Sequence, residues 1–562
     1  MEIPKGHIHI IHTKPNRGTK TYYYARKTAR VNGKPKVVWS FPLGTAENII
    51  KQYTNRILDH IEFQPFSFGL PAAFLAIAEQ TKFFEIVNQI APKKMVNGAL
   101  TTGQYLLIMM MGRALGPLSK AKTGRQFSDT FLNLFWNPAH HMNTQNLVNH
   151  MDKCTVDAVE KITDRFGATL VSQGLKPSSV VFWDHTNHST CIENWGEKNL
   201  PYPGYAKDKR FDKNLIGTSI VLSKDEIPLY HTVYPGNEND AHLFSRCVDD
   251  VIRKINRLWR MPTEKITLVF DKGNNSQDNL EDVLRQCHIV GSLSFDEVPG
   301  LIDVPLAEYR FLSQTSTGTP MQAYRTSRPL WDLGEFTLVA TYNPQTAKRQ
   351  RRTWEKNREI INRKLAELQK KFLRTGGRGR RMTVKGLTTA ITQTIPKQYR
   401  GVYWWDITGE PRTFIWDLLT ENEEQMMQRF GKQIIFTDLS KWDTLRIVQS
   451  YHRKYKVEKA FHWLHDKLLI PIPPFYHNKD DRIRVHIFIC IMALSFIRLI
   501  KRKTKRISAV SDEQLLDELR ELQVALVKDV RTQEVQLKVM AMTPVQAAVF
   551  SQLQLDRYIK AI

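Results

Sequence analysis

Apolar and polar residues alternate at the start of the chain. His7-Ile8-His9-Ile10-Ile11-His12 and Thr21-Tyr22-Tyr23-Tyr24-Ala25 show the period of two that sends successive side chains to opposite faces of a strand. Asn32-Gly33 reads as a turn before Lys36-Val37-Val38-Trp39, so residues 1–65 predict a small β-meander. Its alternating histidines read as an exposed strand face rather than a metal site. From about Pro71 to Phe166 the apolar residues gather in helical blocks such as Phe74-Leu75-Ala76-Ile77-Ala78 and Leu106-Leu107-Ile108-Met109-Met110-Met111. Trp136-Asn137-Pro138 breaks the series, and residues 66–170 predict a helical domain.

Near Ser178 the texture changes again. Val180-Val181-Phe182-Trp183 is a short buried strand ending in Asp184, followed by strands over Leu215 to Leu222 and Ile227 to Tyr234 with a turn at Pro235-Gly236-Asn237. An amphipathic helix over Ala241 to Trp259 leads to Ile266-Thr267-Leu268-Val269-Phe270, which ends in Asp271-Lys272-Gly273. A further helix precedes the strand His288 to Leu293. Successive strands and then strand–helix–strand predict an α/β fold, a mixed sheet with helices on its faces, whose first part spans 171–295. Residues 296–431 interrupt it. They hold β-like runs (Phe336 to Tyr342, Val402 to Trp405, Arg412 to Trp416), a long basic helix from about Ala347 to Phe372 and a flexible link at Gly376-Gly377-Arg378-Gly379. The sheet resumes at Gln433 to Thr437, a helix runs from about Lys441 to Asp466, and Asp480 to Lys501 is a buried helix, so the second part of the core spans 432–505. Residues 506–562 are expected to be surface helices.

Composition narrows the partner. A chain of 562 residues should divide into several domains. Lys+Arg outnumber Asp+Glu by 81 to 56, a net charge of +25, which favours a polyanion bound by counterion release. Nucleic acid is therefore favoured over a membrane surface. The helical region 66–170 and the basic helix carrying Lys348, Arg349, Arg351 and Arg352 are candidate DNA-binding elements, with packing or a solvated face as the alternatives. Lys501-Arg502-Lys503-Thr504-Lys505-Arg506 is another candidate phosphate contact. Five scattered cysteines without a CxxC pair suit a reducing compartment. The longest apolar run, Ile487 to Ile497, is about 11 residues against the ~20 that span a bilayer. With no signal-like start, a soluble, cytoplasmic, nucleoid-associated protein without membrane contact is expected.

The candidate chemistry lies in carboxylates. Asp184 and Asp271 each come directly after a strand run, where side chains face a crevice. Two such carboxylates suit Mg²⁺, which takes one or two protein carboxylates and completes its shell with water and phosphate oxygens. A structural strand-end cap is the alternative for either one alone. Tyr451, Lys454, Glu458 and His465 are spaced +3, +4 and +7 and share a helix face, while Val457, Ala460, Phe461 and Leu464 form the apolar side. Taken alone, that stripe is a solvated Glu–Lys face.

Together these features resemble the DDE transposases of bacterial insertion sequences, in the IS-four-like group. That group carries a β-rich insertion between its second Asp and its Glu, and a helical Y-x2-R-x3-E-x6-K signature. Tyr451 and Glu458 match; Lys454 stands for the Arg and His465 for the Lys, with Lys467 close by. Gly204-Tyr205-Ala206-Lys207-Asp208-Lys209-Arg210, Pro235-Gly236-Asn237-Glu238-Asn239-Asp240 and Asp480-Asp481-Arg482-Ile483-Arg484-Val485-His486 look like the same group, and Asp271-Lys272-Gly273 stands where it has D-R-G.

The resemblance implies an RNase H-like core in which Asp184, Asp271 and Glu458 hold two Mg²⁺ ions, with Mn²⁺ as a substitute. It implies cleavage at the terminal inverted repeats and transfer of the freed 3′-OH into target DNA, with a homodimer in the DNA complex. Tyr451, Lys454, His465 and Lys467 become DNA contacts. Asn187, Asn274 and Ser276 become supporting groups around the carboxylates. Trp331, Trp354, Trp404 and Trp405 are candidates to stack a displaced base, with a buried core Trp as the alternative. Two other functions fit the same features: a catalytically inactive or repurposed DNA-binding protein, and a nuclease of this fold that does not join strands.

Overall fold

The computed structural model describes residues 5, 7–13, 20–31, 34–54, 61–92, 98–176, 178–193, 200–204, 206, 212–238, 240–259, 265–270, 277–314, 318–376, 381–505, 510–530 and 532–560. The alternating N-terminal segments pair as β1 (His9–Thr13), β2 (Tyr22–Val31) and β3 (Lys34–Thr45), an antiparallel meander in chain order. The Asn32-Gly33 turn lies outside the described residues. β4 (Ile61–Ser67) leaves this meander for a sheet formed with the far end of the chain.

A series of helices follows, from Gly69–Gln80 to Val156–Ser172. The helix Thr102–Leu115 opens with a capping box, Thr101 and Gln104 exchanging side-chain and backbone hydrogen bonds. It is buried on nearly every side, as its run of apolar residues requires. The same holds for Asp480–Thr504, buried almost continuously from Ile483 to Ile500. This helix packs on Gly69–Gln80, Thr102–Leu115 and Val156–Ser172 on one side and on the sheet on the other. The helical region therefore shares one apolar core with the sheet instead of standing apart as its own domain. Among the described residues, Asp480–Thr504 is the one helix long and apolar enough to cross a membrane, and 94% of its apolar window is buried inside the protein.

The chain is a mixed α/β fold. Among the described residues, its main sheet has ten strands: β5 (Val180–Thr190), β6 (Tyr202–Pro203), β7 (Asn214–Leu222), β8 (Pro228–Pro235), β9 (Thr267–Val269), β10 (His288–Leu293), β11 (Arg310–Gln314), β12 (Pro320–Pro329), β13 (Glu335–Tyr342) and, after a long excursion, β16 (Lys432–Thr437). The order is β11-β12-β13-β16-β10-β9-β5-β7, with β6 and β8 both pairing with β7. β5, β9 and β10 run parallel, and the other pairings are antiparallel. Gly217 on β7 leaves room for the ring of Tyr234 on β8; an added Cβ would lie 2.0 Å from that ring. The Tyr234 hydroxyl passes across it to donate to the Thr186 carbonyl on β5 at 3.3 Å.

Two expectations change here. β11, β12 and β13, placed by the sequence in an insertion of its own, extend the main sheet through β16. Among the described residues, a second core lies in the segment between β13 and β16. There the helix Pro344–Leu373 lays Trp354, Ile361, Leu365 and Phe372 against Leu387, Ile391 and a hairpin of β14 (Tyr403–Thr408) and β15 (Thr413–Leu418). The tail is not wholly helical either: β17 (Gln523–Asp529) and β18 (Val535–Val539) form a three-stranded sheet with β4.

Candidate functional site

Asp184 does not end its strand. Parallel pairing of β5 with β9 stops at Phe182–Val269, but antiparallel pairing with β7 carries β5 on to Thr190. Asp184 thus stands two residues past the last β9 pair, half-buried, its Oδ1 accepting the His185 N–H at 2.9 Å. Asp271 lies two residues past Val269, the same offset along the chain. Asp271, Asn274 and Ser276 lie outside the described residues.

Glu458 comes from Tyr455–His465, a helix that packs across β5 and β7. Its ends fix its direction. Near the start, Lys456 Nζ donates to the Lys224 carbonyl at 2.7 Å and pairs with Glu226 at 3.2 Å, both in the β7–β8 turn. That turn lies beyond Leu222, the partner of Phe182, and so at the beginning of β5. At the helix end, His465 Nε2 lies 3.4 Å from the Asn187 carbonyl, and its ring packs on His188 at 4.5 Å. The helix therefore runs parallel to β5. Seven residues back from His465 is about 10 Å of helix at ~1.5 Å each. Three residues back from Asn187 is about 10 Å of strand at ~3.3 Å each. Both distances end level, at Glu458 and Asp184. His188 shares the strand face of Asp184, being an even number of residues away, and that is the face the helix covers.

The helix expected over 441–466 is two helices, Thr444–His452 and Tyr455–His465. At the join, Lys454 N–H bonds back three residues to Tyr451 and Val457 N–H to Lys454, tightening the turn. This re-aims the chain: the first helix packs on β10, β13 and β16, the second on β5 and β7. Tyr451 is accordingly buried, with its hydroxyl donating to Ser292 Oγ on β10 at 2.8 Å, and it anchors the helix to the sheet. The Lys454 side chain is only 8% exposed and reaches Glu458 Oε1 at 3.2 Å, whereas Glu458 is 60% exposed. Lys454 holds the carboxylate; it is not a free surface cation.

His465 and Lys467 are exposed at the helix end. Strand alternation sends the Asn187 side chain to the face opposite Asp184, which separates it from the carboxylate it was expected to support. Lys348, Arg349, Arg351 and Arg352 are exposed on Pro344–Leu373, away from the second core. Of the four tryptophans, Trp354 is fully buried with its indole N–H on Glu423 Oε1 at 2.7 Å, and only Trp404 is largely exposed. Sequence reasoning misses His188, Lys456, Glu226 and Ser292. Each matters through a contact with a residue far along the chain, and no local spacing signals that.

Among the described residues no three acidic, histidine or cysteine side chains form a metal-holding group. Hard carboxylate oxygens at a rim open enough for water and phosphate fit Mg²⁺ or Mn²⁺ better than a soft or closed-site metal. Burial, with His465 beside it, pushes the His188 imidazole well below its ordinary value and keeps it neutral in the helix–strand joint.

No protein-family model and no curated protein matches the chain.

Proposed function

We propose that the chain is a DDE transposase of an insertion sequence, a metal-dependent enzyme that cuts DNA at element ends and joins the freed 3′-OH to target DNA. The observation that carries this is the alignment of Tyr455–His465 along β5, which brings Glu458 level with Asp184. The strand order β8-β7-β5-β9-β10, with the first three antiparallel and the last three parallel, supports an RNase H-like core. The long excursion between β13 and β16 lies where the resembling family carries its insertion.

Asp184 and Glu458, with Asp271 as the third carboxylate, are the residues to hold the ions. Bound Mg²⁺ supplies Lewis-acid stabilisation to an in-line phosphodiester displacement. Lys454 limits the rotamers of Glu458 through their ion pair, and the contacts of Lys456 and His465 keep its helix against the strand. Such fixing matters because catalytic groups tolerate little misplacement. Water serves as nucleophile in the first cut and the 3′-OH in joining. The same carboxylates serve both because the displaced phosphodiester has the same geometry.

The test is incubation with a duplex carrying the inverted repeats that flank the reading frame, with Mg²⁺ or Mn²⁺. Asp184→Ala, Asp271→Ala and Glu458→Ala should each abolish cleavage and strand transfer while duplex binding persists. Wild-type cleavage by any one of them removes that residue from the site.

A further inference from the structure

A cleft of about 390 Å³ opens at the beginning of β5, between Lys176, Ser178 and Ser179, the β7–β8 turn and the helix Thr444–His452. Its lining carries four cations, Lys176, Lys224, Arg446 and Arg453, against one carboxylate, Asp225. That carboxylate already faces another cation, Arg502 Nε at 3.9 Å. The neighbouring Glu226 is held by Lys456 at 3.2 Å and Arg498 at 3.3 Å. Among the described residues, the four lining cations have no carboxylate within ion-pair distance. The Arg446 guanidinium carbon sits 3.9 Å from the centre of the Trp442 ring, a cation–π contact at the edge of the cleft.

A second feature converges here. The basic run at the end of the helix Asp480–Thr504, the central helix of the core, abuts the cleft, and the catalytic reading does not use it. Arg502 donates to the Gly174 carbonyl at 2.6 Å, two residues before Lys176, besides facing Asp225. Like charges gathered around one cleft repel each other until an anion enters. Arg forks and Lys ammoniums beside the hydroxyls of Ser179 and Ser450 match phosphodiester oxygens. The floor residue Phe182 precedes Asp184 by two positions on the same strand face, about 7 Å at ~3.3 Å per residue.

We propose that this cleft is a DNA-backbone site, continued by Arg502 and Lys503, that grips duplex phosphates next to the carboxylates. It rests on the reading of the chain as a DNA-processing enzyme. Its test is separate from cleavage: duplex affinity measured across a salt series for Lys176→Gln/Lys224→Gln/Arg453→Gln, three exposed or half-exposed positions. Losing three phosphate contacts should lower the slope of log affinity against log salt by about 2–3. A control variant, Lys364→Gln/Lys385→Gln/Lys397→Gln, removes the same charge from the second-core region and should change the slope less. A wild-type slope in the cleft variant, or an equal fall in the control, overturns the proposal.

Acetylation of Lys224 in the unaltered protein gives a readout without substitution. Duplex should shield this amine from the reagent, and equal labelling with and without duplex also overturns the assignment. Shielding by inorganic phosphate at equal ionic strength as effective as that by duplex would make it a free-anion site, against the proposal. A lowered slope with no Mg²⁺-dependent cleavage would sink the transposase reading and leave the cleft standing; cleavage with an unchanged slope would do the reverse.

Discussion

Asp512→Ala tests how the helix bearing Glu458 is held from behind. Arg498, on the central helix, is 4% exposed at its side chain and pairs through Nη1 with Asp512 and with Glu226 at 3.3 Å. Its Nε and Nη2 have no hydrogen-bond partner, so Nη1 carries its paired contacts. Asp512 also takes Lys459 at 3.1 Å, from the Glu458 helix, and the adjacent Glu513 accepts the Trp463 indole N–H at 3.0 Å. Removing one partner of a buried pair typically costs ~3–5 kcal/mol because the remaining charge is uncompensated. Glu226 stays on the same nitrogen, which puts the expected cost at the low end, about 3 kcal/mol. At ~1.4 kcal/mol per factor of ten, that is about 150-fold faster exchange of amides that open with this region.

Hydrogen–deuterium exchange of peptides covering Tyr455–His465 and Asp480–Thr504 reads this locally, and avoids treating a multidomain chain as two-state. Arg498→Met should recover a large part of the loss in the Asp512→Ala background, because it removes the stranded charge and keeps an apolar stem beside Trp463. Exchange in the double variant as fast as the sum of the two single losses would show that Arg498 and Asp512 are not coupled.

Acid should loosen the same region. His188, His477 and His486 are buried, and burial holds each imidazole below its ordinary value, His477 at about 4. Nearby cations add to this, chiefly Lys120 for His477 and His486. The unfolded chain takes up protons below about pH 6.5 and the native one does not, so this stability is full above that pH and is lost as pH falls toward 4. His477 alone should cost about 1.4 kcal/mol at a pH one unit below 6.5, and the other two act in the same direction. Urea titrations at neutral and mildly acid pH check this, and equal midpoints would exclude it. Lys454→Met should raise the Mg²⁺ needed for half-maximal cleavage and leave the salt slope of duplex binding unchanged. A flattened slope with the metal requirement intact would make Lys454 a phosphate contact instead.

The sequence by itself determined the local elements. The alternation at Tyr22–Val31, the apolar runs at His288–Leu293 and Lys432–Thr437, and the long periodic stretch of Pro344–Leu373 are each stabilised within a few residues, so their periods are written in order along the chain. It also supplied the positive charge and nominated Asp184, Asp271 and Glu458. Tertiary structure decided where those elements went. That β4 pairs with β17, that β11 to β13 extend the main sheet, and that β5 continues past Asp184 all depend on backbone partners far away in sequence, which a strand's own residues do not specify. The same is true of the site. The stripe Tyr451, Lys454, Glu458 and His465 read as one helix face. Packing on two parts of the sheet split it at Lys454, turned Tyr451 into an anchor, and left Glu458 exposed beside β5. Side-chain spacing is a local property, but the direction of a helix across a strand is set at its two ends, here by Lys456 on the β7–β8 turn and His465 on Asn187.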